Sequence, residues 1–193
     1  MWRSKNGFKE KNQGNHIVLF TFDNKADVDT ILVNQLWSFD KHLMVLQRYE
    51  KDMDVEELPF NLMPFWVQVH GIPIRLRNQR VVEGICETIG PVCSAPDGVD
   101  CKGAGFMWVR VIMDITQPLQ CGRIVSLGKN KEQRVFLKYE GLLNLYYWCG
   151  CLTHSDKNCD VWLDNKGTLT VEQQTYGSWI REPVSVKLRG MWL

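Results

Sequence analysis

The clearest pattern in the chain is the alternation from Phe106 to Ile115. Met107, Val109, Val111, Met113 and Ile115 fall on one side of an extended strand, and Phe106, Trp108, Arg110, Ile112 and Asp114 on the other. Phe65 to His70 reads as a second strand, followed by a Gly71-Ile72-Pro73 turn. Asn78 is positioned to cap a helix in which Val82, Ile85 and Ile89 share a face, ended by Gly90-Pro91. Segments 122–127 and 133–139 predict a hairpin through Gly128-Lys129-Asn130. Its second strand turns Val135, Leu137 and Tyr139 one way and Arg134, Phe136 and Lys138 the other.

Upstream the pattern is shorter. Residues 2–9 and 17–22 predict two strands joined through Gly14-Asn15, and both faces of the second are largely apolar. Asp23 predicts an N-cap for a helix with Val28, Ile31 and Leu32 on one face, and residues 43–49 predict a further strand. This order, β-β-α-β, is similar to an RRM-like or ferredoxin-like fold without its opening strand and helix. An acidic, proline-containing stretch over 50–61 reads as a linker. The expectation is an α+β protein: a truncated RRM-like unit over 1–61, a second mixed α/β unit with an antiparallel sheet over 62–140, a small loop module over 141–162 and a tail over 163–193.

The loop module carries the chemistry. Cys149, His154 and Cys159 are separated by four residues each, and Gly150 follows the first cysteine. This is the later part of the C-x2-C-x4-H-x4-C spacing of a zinc knuckle, in which thiolates and one imidazole surround tetrahedral Zn²⁺. So short a loop has no core of its own, and the ion supplies its folding energy. The first position of that spacing is Tyr146 rather than cysteine. Cys151 is the spare thiol nearby, and because it lies two residues from Cys149 its use requires a rearranged loop. Two readings follow: a zinc site completed by Cys151 or solvent, or a metal-free remnant.

Several segments together carry a resemblance. Trp37-Ser38-Phe39-Asp40, Pro64-Phe65-Trp66-Val67-Gln68-Val69-His70-Gly71-Ile72-Pro73, Asp114-Ile115-Thr116-Gln117-Pro118-Leu119, Lys138-Tyr139-Glu140, the knuckle and Tyr176-Gly177-Ser178-Trp179-Ile180-Arg181 occur in an order that resembles one family. It is the plant retrotransposon-associated domain of unknown function that precedes a CCHC zinc knuckle, found in gag-like or first-frame proteins of non-LTR elements. The resemblance implies binding of zinc and nucleic acid and brings no catalytic chemistry. It also implies that the tail at 176–181 closes the module.

Composition sharpens this picture. The 193 residues, 45% of them hydrophobic, suffice for one sizeable domain or two small ones. A net charge of +1 points to local, modest contact with nucleic acid rather than long-range attraction. The 7 cysteines are odd in number and include the knuckle set, which argues against a disulfide framework. No apolar run approaches a membrane span, so the expected location is intracellular, nucleus or cytoplasm. There is no phosphate-cradling Gly-Lys-Ser/Thr loop, nucleophile elbow or His-Glu-x-x-His, so no enzyme is expected.

The expected partner is single-stranded RNA or DNA, with self-association as the alternative use of the sheets. Tyr147 and Trp148 beside the knuckle are candidate stacking rings, and Lys157 is a candidate phosphate contact. If the three central strands share a sheet, one face carries Trp66, Gln68, His70, Trp108, Arg110, Phe136 and Lys138. Such a face suits base stacking with Trp108, Arg110 and Lys138 as contacts, or it is packed against the first unit.

Overall fold

The computed structural model describes residues 7–34, 36–40, 42–50, 52–93, 101–128, 131–154, 158–165 and 168–184. Strand β1 (Phe8–Gly14) pairs antiparallel with β2 (Ile17–Phe22). The turn sits one residue later than the sequence suggests. Asn15 and His16 both take positive φ, 48° and 62°, as a two-residue hairpin of matching twist requires. Of the segment 2–9 predicted as the first strand, residues 2–6 lie outside the described residues. The Phe8 ring packs on Phe20 and Phe22 at centroid distances of 5.6 and 5.4 Å.

Helix α1 (Lys25–Val33) is capped by Asn24, not Asp23: the Asn24 side chain accepts from the Ala26 N–H. Strands β3 (Ser38–Phe39) and β4 (His42–Leu43) form a separate hairpin of two residues each. The expected strand over 43–49 does not form. Its apolar residues instead pack sideways, with Leu43 and Val45 against the main core and the Gln47 side chain donating to the carbonyls of Pro59 and Leu62. Among the described residues no strand joins β1 and β2 into a larger sheet, so the RRM-like arrangement expected for the first unit is not what these elements build.

The second unit forms as its alternation predicts. Strands β5 (Leu62–His70), β6 (Val92–Cys93), β7 (Phe106–Asp114), β8 (Gly122–Ser126), β9 (Glu132–Glu140) and β10 (Arg181–Glu182) form a sheet in the order β10-β9-β5-β7-β6, with β8 paired to β9. All pairs are antiparallel except β10 with β9. Met63, Phe65, Val67, Val69, Met107, Val109, Val111, Val135, Leu137 and Tyr139 fill one face and are essentially inaccessible. Helix α2 (Gln79–Cys86) lays Val82, Ile85 and Cys86 on that core, and its Asn78 cap accepts from the Val81 N–H. The fold is mixed α and β with antiparallel sheets and few helices. No described helix is long and apolar enough to cross a membrane.

Candidate metal centre

The turn holding the thiols is built into the sheet domain. Leu142, Leu145, Leu152 and Ile180 join the main core, and the Leu119 N–H donates to the Gly150 carbonyl at 3.0 Å. Packing is therefore continuous across the sequence boundary at 140/141. Gly150 sits at φ +77°, and a Cβ there would come within 2.2 Å of the Tyr176 ring. Glycine is needed on both counts, for the left-handed backbone and for the close approach of the ring.

Residues 176–182 form a strap over this turn. The Tyr176 N–H donates to the Tyr147 carbonyl at 3.1 Å, Ile180 is fully buried, and the Arg181 guanidinium donates to the Leu142 carbonyl at 3.1 Å. Strand β10 then pairs beside the end of β9. Trp179, in the same segment, remains half exposed.

Within the turn, Cys149 Sγ lies 3.2 Å from His154 Nε2. The donor atoms of Cys149, Cys151 and His154 all lie within 4.8 Å of one another. The Cys159 thiol, the remaining ligand expected from the spacing, is not part of that group, although it interacts with Cys149; burial raises the pKa of both thiols. Thiolates there need a cation to form. Tetrahedral zinc, bonded at about 2.3 Å to sulfur and about 2.0 Å to nitrogen, sets its donors about 3.5–3.8 Å apart. The 3.2 Å between Cys149 and His154 and the 4.8 Å limit on all three donors are compatible with that range, so the residues present fit the ion. Tyr146, at the first family position, is buried, and its ring lies 5.6 Å from the His154 imidazole.

The candidate nucleic-acid contacts separate into two groups. The sheet face predicted from strand parity exists: Trp66 stands opposite Arg110, Gln68 opposite Trp108 and Lys138, and His70 opposite Phe106 and Phe136. Half of it is closed. Trp108 is only 5% exposed, and its indole N–H donates to Glu140 Oε1 at 2.5 Å, where the Gln68 amide also donates at 2.7 Å. Arg110 stands over the Trp66 ring and donates to the Val33 carbonyl at the end of α1. Its pKa is lowered by burial. Lys138 forms an ion pair with Glu182 at 2.6 Å. Trp108 and Arg110 thus serve packing in this structure, because a covered ring offers no face to a base.

Near the knuckle, Tyr147 is half-buried, with its hydroxyl 3.5 Å from the Arg181 guanidinium. Trp148 is likewise half-buried and lies 5.6 Å from Trp162, on the short helix α3 (Asp160–Asp164) that follows Cys159. Lys157 lies outside the described residues. Two features escaped the sequence reading. Trp162 is three residues beyond the last thiol, where one helical turn returns it toward the loop, a spacing that could have flagged it. Buried Glu140 gave no signal, since acidic side chains are rarely buried without partners and the partners lie on other strands.

Residues 1–57 match the family model described as a domain of unknown function (DUF4283), and residues 113–161 match the one described as a zinc knuckle. The second match starts inside β7, well before the thiols, in keeping with a turn packed on the sheet. No curated protein and no solved structure matches the chain. Zinc knuckles as a class bind zinc and nucleic acid. Along the chain the two matches follow in this order, the DUF4283 model at the N-terminus and then the zinc-knuckle model.

Proposed function

We propose that this chain is a zinc-braced module of a retrotransposon-derived plant protein that binds single-stranded RNA or DNA and performs no catalysis. The observation that carries the reading is the convergence of Cys149, Cys151 and His154 directly beside the half-buried Trp148–Trp162 pair. A metal-fixed turn holds such rings in place, and stacking on them recognises an unpaired base without reading a duplex. Tyr147 and Trp148 are the rings assigned to this contact, with Lys157 as the phosphate contact.

Binding should be modest, because the net charge is +1 and Lys138 is already paired. One to three phosphate contacts give a log–log salt slope between about −0.7 and −2 on a single strand. Fluorescence anisotropy of a labelled single-stranded RNA, at two salt concentrations and before and after chelation, tests this. The reading predicts a shallow salt dependence and loss of binding on chelation. Absence of binding at low salt would refute it.

A second reading has its own support. The covered half of the sheet face, the low charge and the exposed Phe8 and Val18 on the β1–β2 hairpin suit an assembly protein that associates with copies of itself. Concentration-dependent mass in solution without affinity for nucleic acid would favour that alternative.

A further inference from the structure

The family spacing places the first ligand where this chain has Tyr146, yet the turn still gathers two thiols and one imidazole, Cys149, Cys151 and His154, with Cys159 following in the sequence. The backbone shows how this is achieved. The Tyr146 N–H donates to the Cys151 carbonyl at 3.0 Å, and the Gly150 N–H donates to the Tyr146 carbonyl at 2.8 Å. The chain therefore folds back on itself between these positions, and residues 146 and 151 stand opposite each other. Both side chains lie by His154: the Tyr146 ring is 5.6 Å from the imidazole, and the Cys151 Sγ is within 4.8 Å of its donor nitrogen.

We infer that Cys151 has taken over the coordination position lost at Tyr146, so that the ligands are Cys149, Cys151, His154 and Cys159. This inference rests on the zinc reading above and goes beyond it, because it changes the spacing to C-x-C-x2-H-x4-C. Three observations support it. The Cys151 donor atom already lies within 4.8 Å of those of Cys149 and His154. The Cys151 thiol is otherwise engaged only weakly, at 3.7 Å from the Thr116 carbonyl and 4.0 Å from the Cys149 carbonyl, contacts easily given up for a metal bond. Gly150, with φ +77° between the two cysteines, supplies the sharp bend that a chelate with one intervening residue requires. The swap also conserves charge, keeping three thiolates and one neutral imidazole on the ion, where a water in the fourth place would leave a more cationic site.

The test uses the full chain loaded with Co²⁺, whose thiolate charge-transfer absorption reports sulfur ligands, and compares the wild type, Cys151→Ser and Tyr146→Cys/Cys151→Ser. The inference predicts that Cys151→Ser loses about a third of the charge-transfer intensity, one thiolate of the three in such a site. Its metal affinity falls by more than about 100-fold, since losing even an outer-shell partner costs about 10–100-fold. The double variant, with its thiol on the opposite side of the turn, regains both intensity and affinity, which also excludes misfolding of Cys151→Ser as the cause. Full intensity and affinity in Cys151→Ser would overturn the ligand assignment while leaving the zinc reading intact. A double variant no better than Cys151→Ser would overturn it as well. A wild type without any charge-transfer band would overturn both readings.

Discussion

Replacing Glu140 with alanine removes the one oxygen, Oε1, that accepts from both the Gln68 amide and the Trp108 indole. Glu140 is fully buried, and Gln68 and Trp108 are each 5% exposed, so water cannot take its place in the native state. A buried donor left without a partner costs about 1–3 kcal/mol, so two cost about 2–6 kcal/mol. Relief of the carboxyl group's own desolvation offsets part of this, which places the net loss near 3 kcal/mol. For a chain of this size that lowers Tm by about 6–12 °C, a large share of a typical stability of about 5–15 kcal/mol. Glu140→Gln keeps an oxygen at the same place and should lose less than half as much. Urea unfolding followed by tryptophan fluorescence, with the midpoint read at constant m, measures both variants. A Trp108→Phe/Glu140→Ala cycle should show coupling above about 0.5 kcal/mol. A wild-type midpoint for Glu140→Ala, or equal damage from Glu140→Gln, would refute the clamp.

Three further outcomes follow from the same geometry. Gly150→Ala forces a left-handed backbone costing about 1–2 kcal/mol and drives a methyl group into the Tyr176 ring, so Tm and zinc affinity should fall together; a calorimetric scan with and without metal checks it. Trp108→Ala should cost about 3–5 kcal/mol of stability and alter the near-ultraviolet circular dichroism, whereas Trp148→Ala should keep the fold and lose about 1–3 kcal/mol of single-strand affinity. Burial first, then the charge of Lys138, lowers the pKa of His70 from 6.5. The unfolded chain therefore takes up the proton first, so stability present above pH 6.5 is lost as pH falls from there toward the folded pKa, and urea midpoints across that window should flatten in His70→Phe.

What the sequence disclosed follows the length of its periodic runs. Phe106–Asp114 alternates over nine residues, so its inward face was readable position by position, and the parity of β5 and β9 then placed Trp66, His70 and Lys138 on one face. Asn78 signalled α2 because its cap precedes a clean i, i+4 stripe. The run over 43–49 has the composition of a strand, but only Leu43 pairs, opposite Ser38, and the side chains of Leu43 and Val45 pack on the main core. Whether the outer sheet face was open or covered lay beyond periodicity, because Val33 reaches it from α1 and because the Trp108 and Gln68 partners of Glu140 stand on other strands. At the metal centre, the spacing of Cys149, His154 and Cys159 was plain in the sequence. The facing of positions 146 and 151 was not, since it depends on the backbone turn at Gly150.

The central claim is that the turn at 149–159 grips an ion without a cysteine at position 146. Zinc content of the purified full chain, titrated with a chromophoric chelator alongside thermal unfolding, tests it most directly. The account predicts about one zinc per chain and a Tm that drops when the metal is removed. A chain that purifies without zinc, takes up none on addition and unfolds at the same temperature with or without chelator would contradict it.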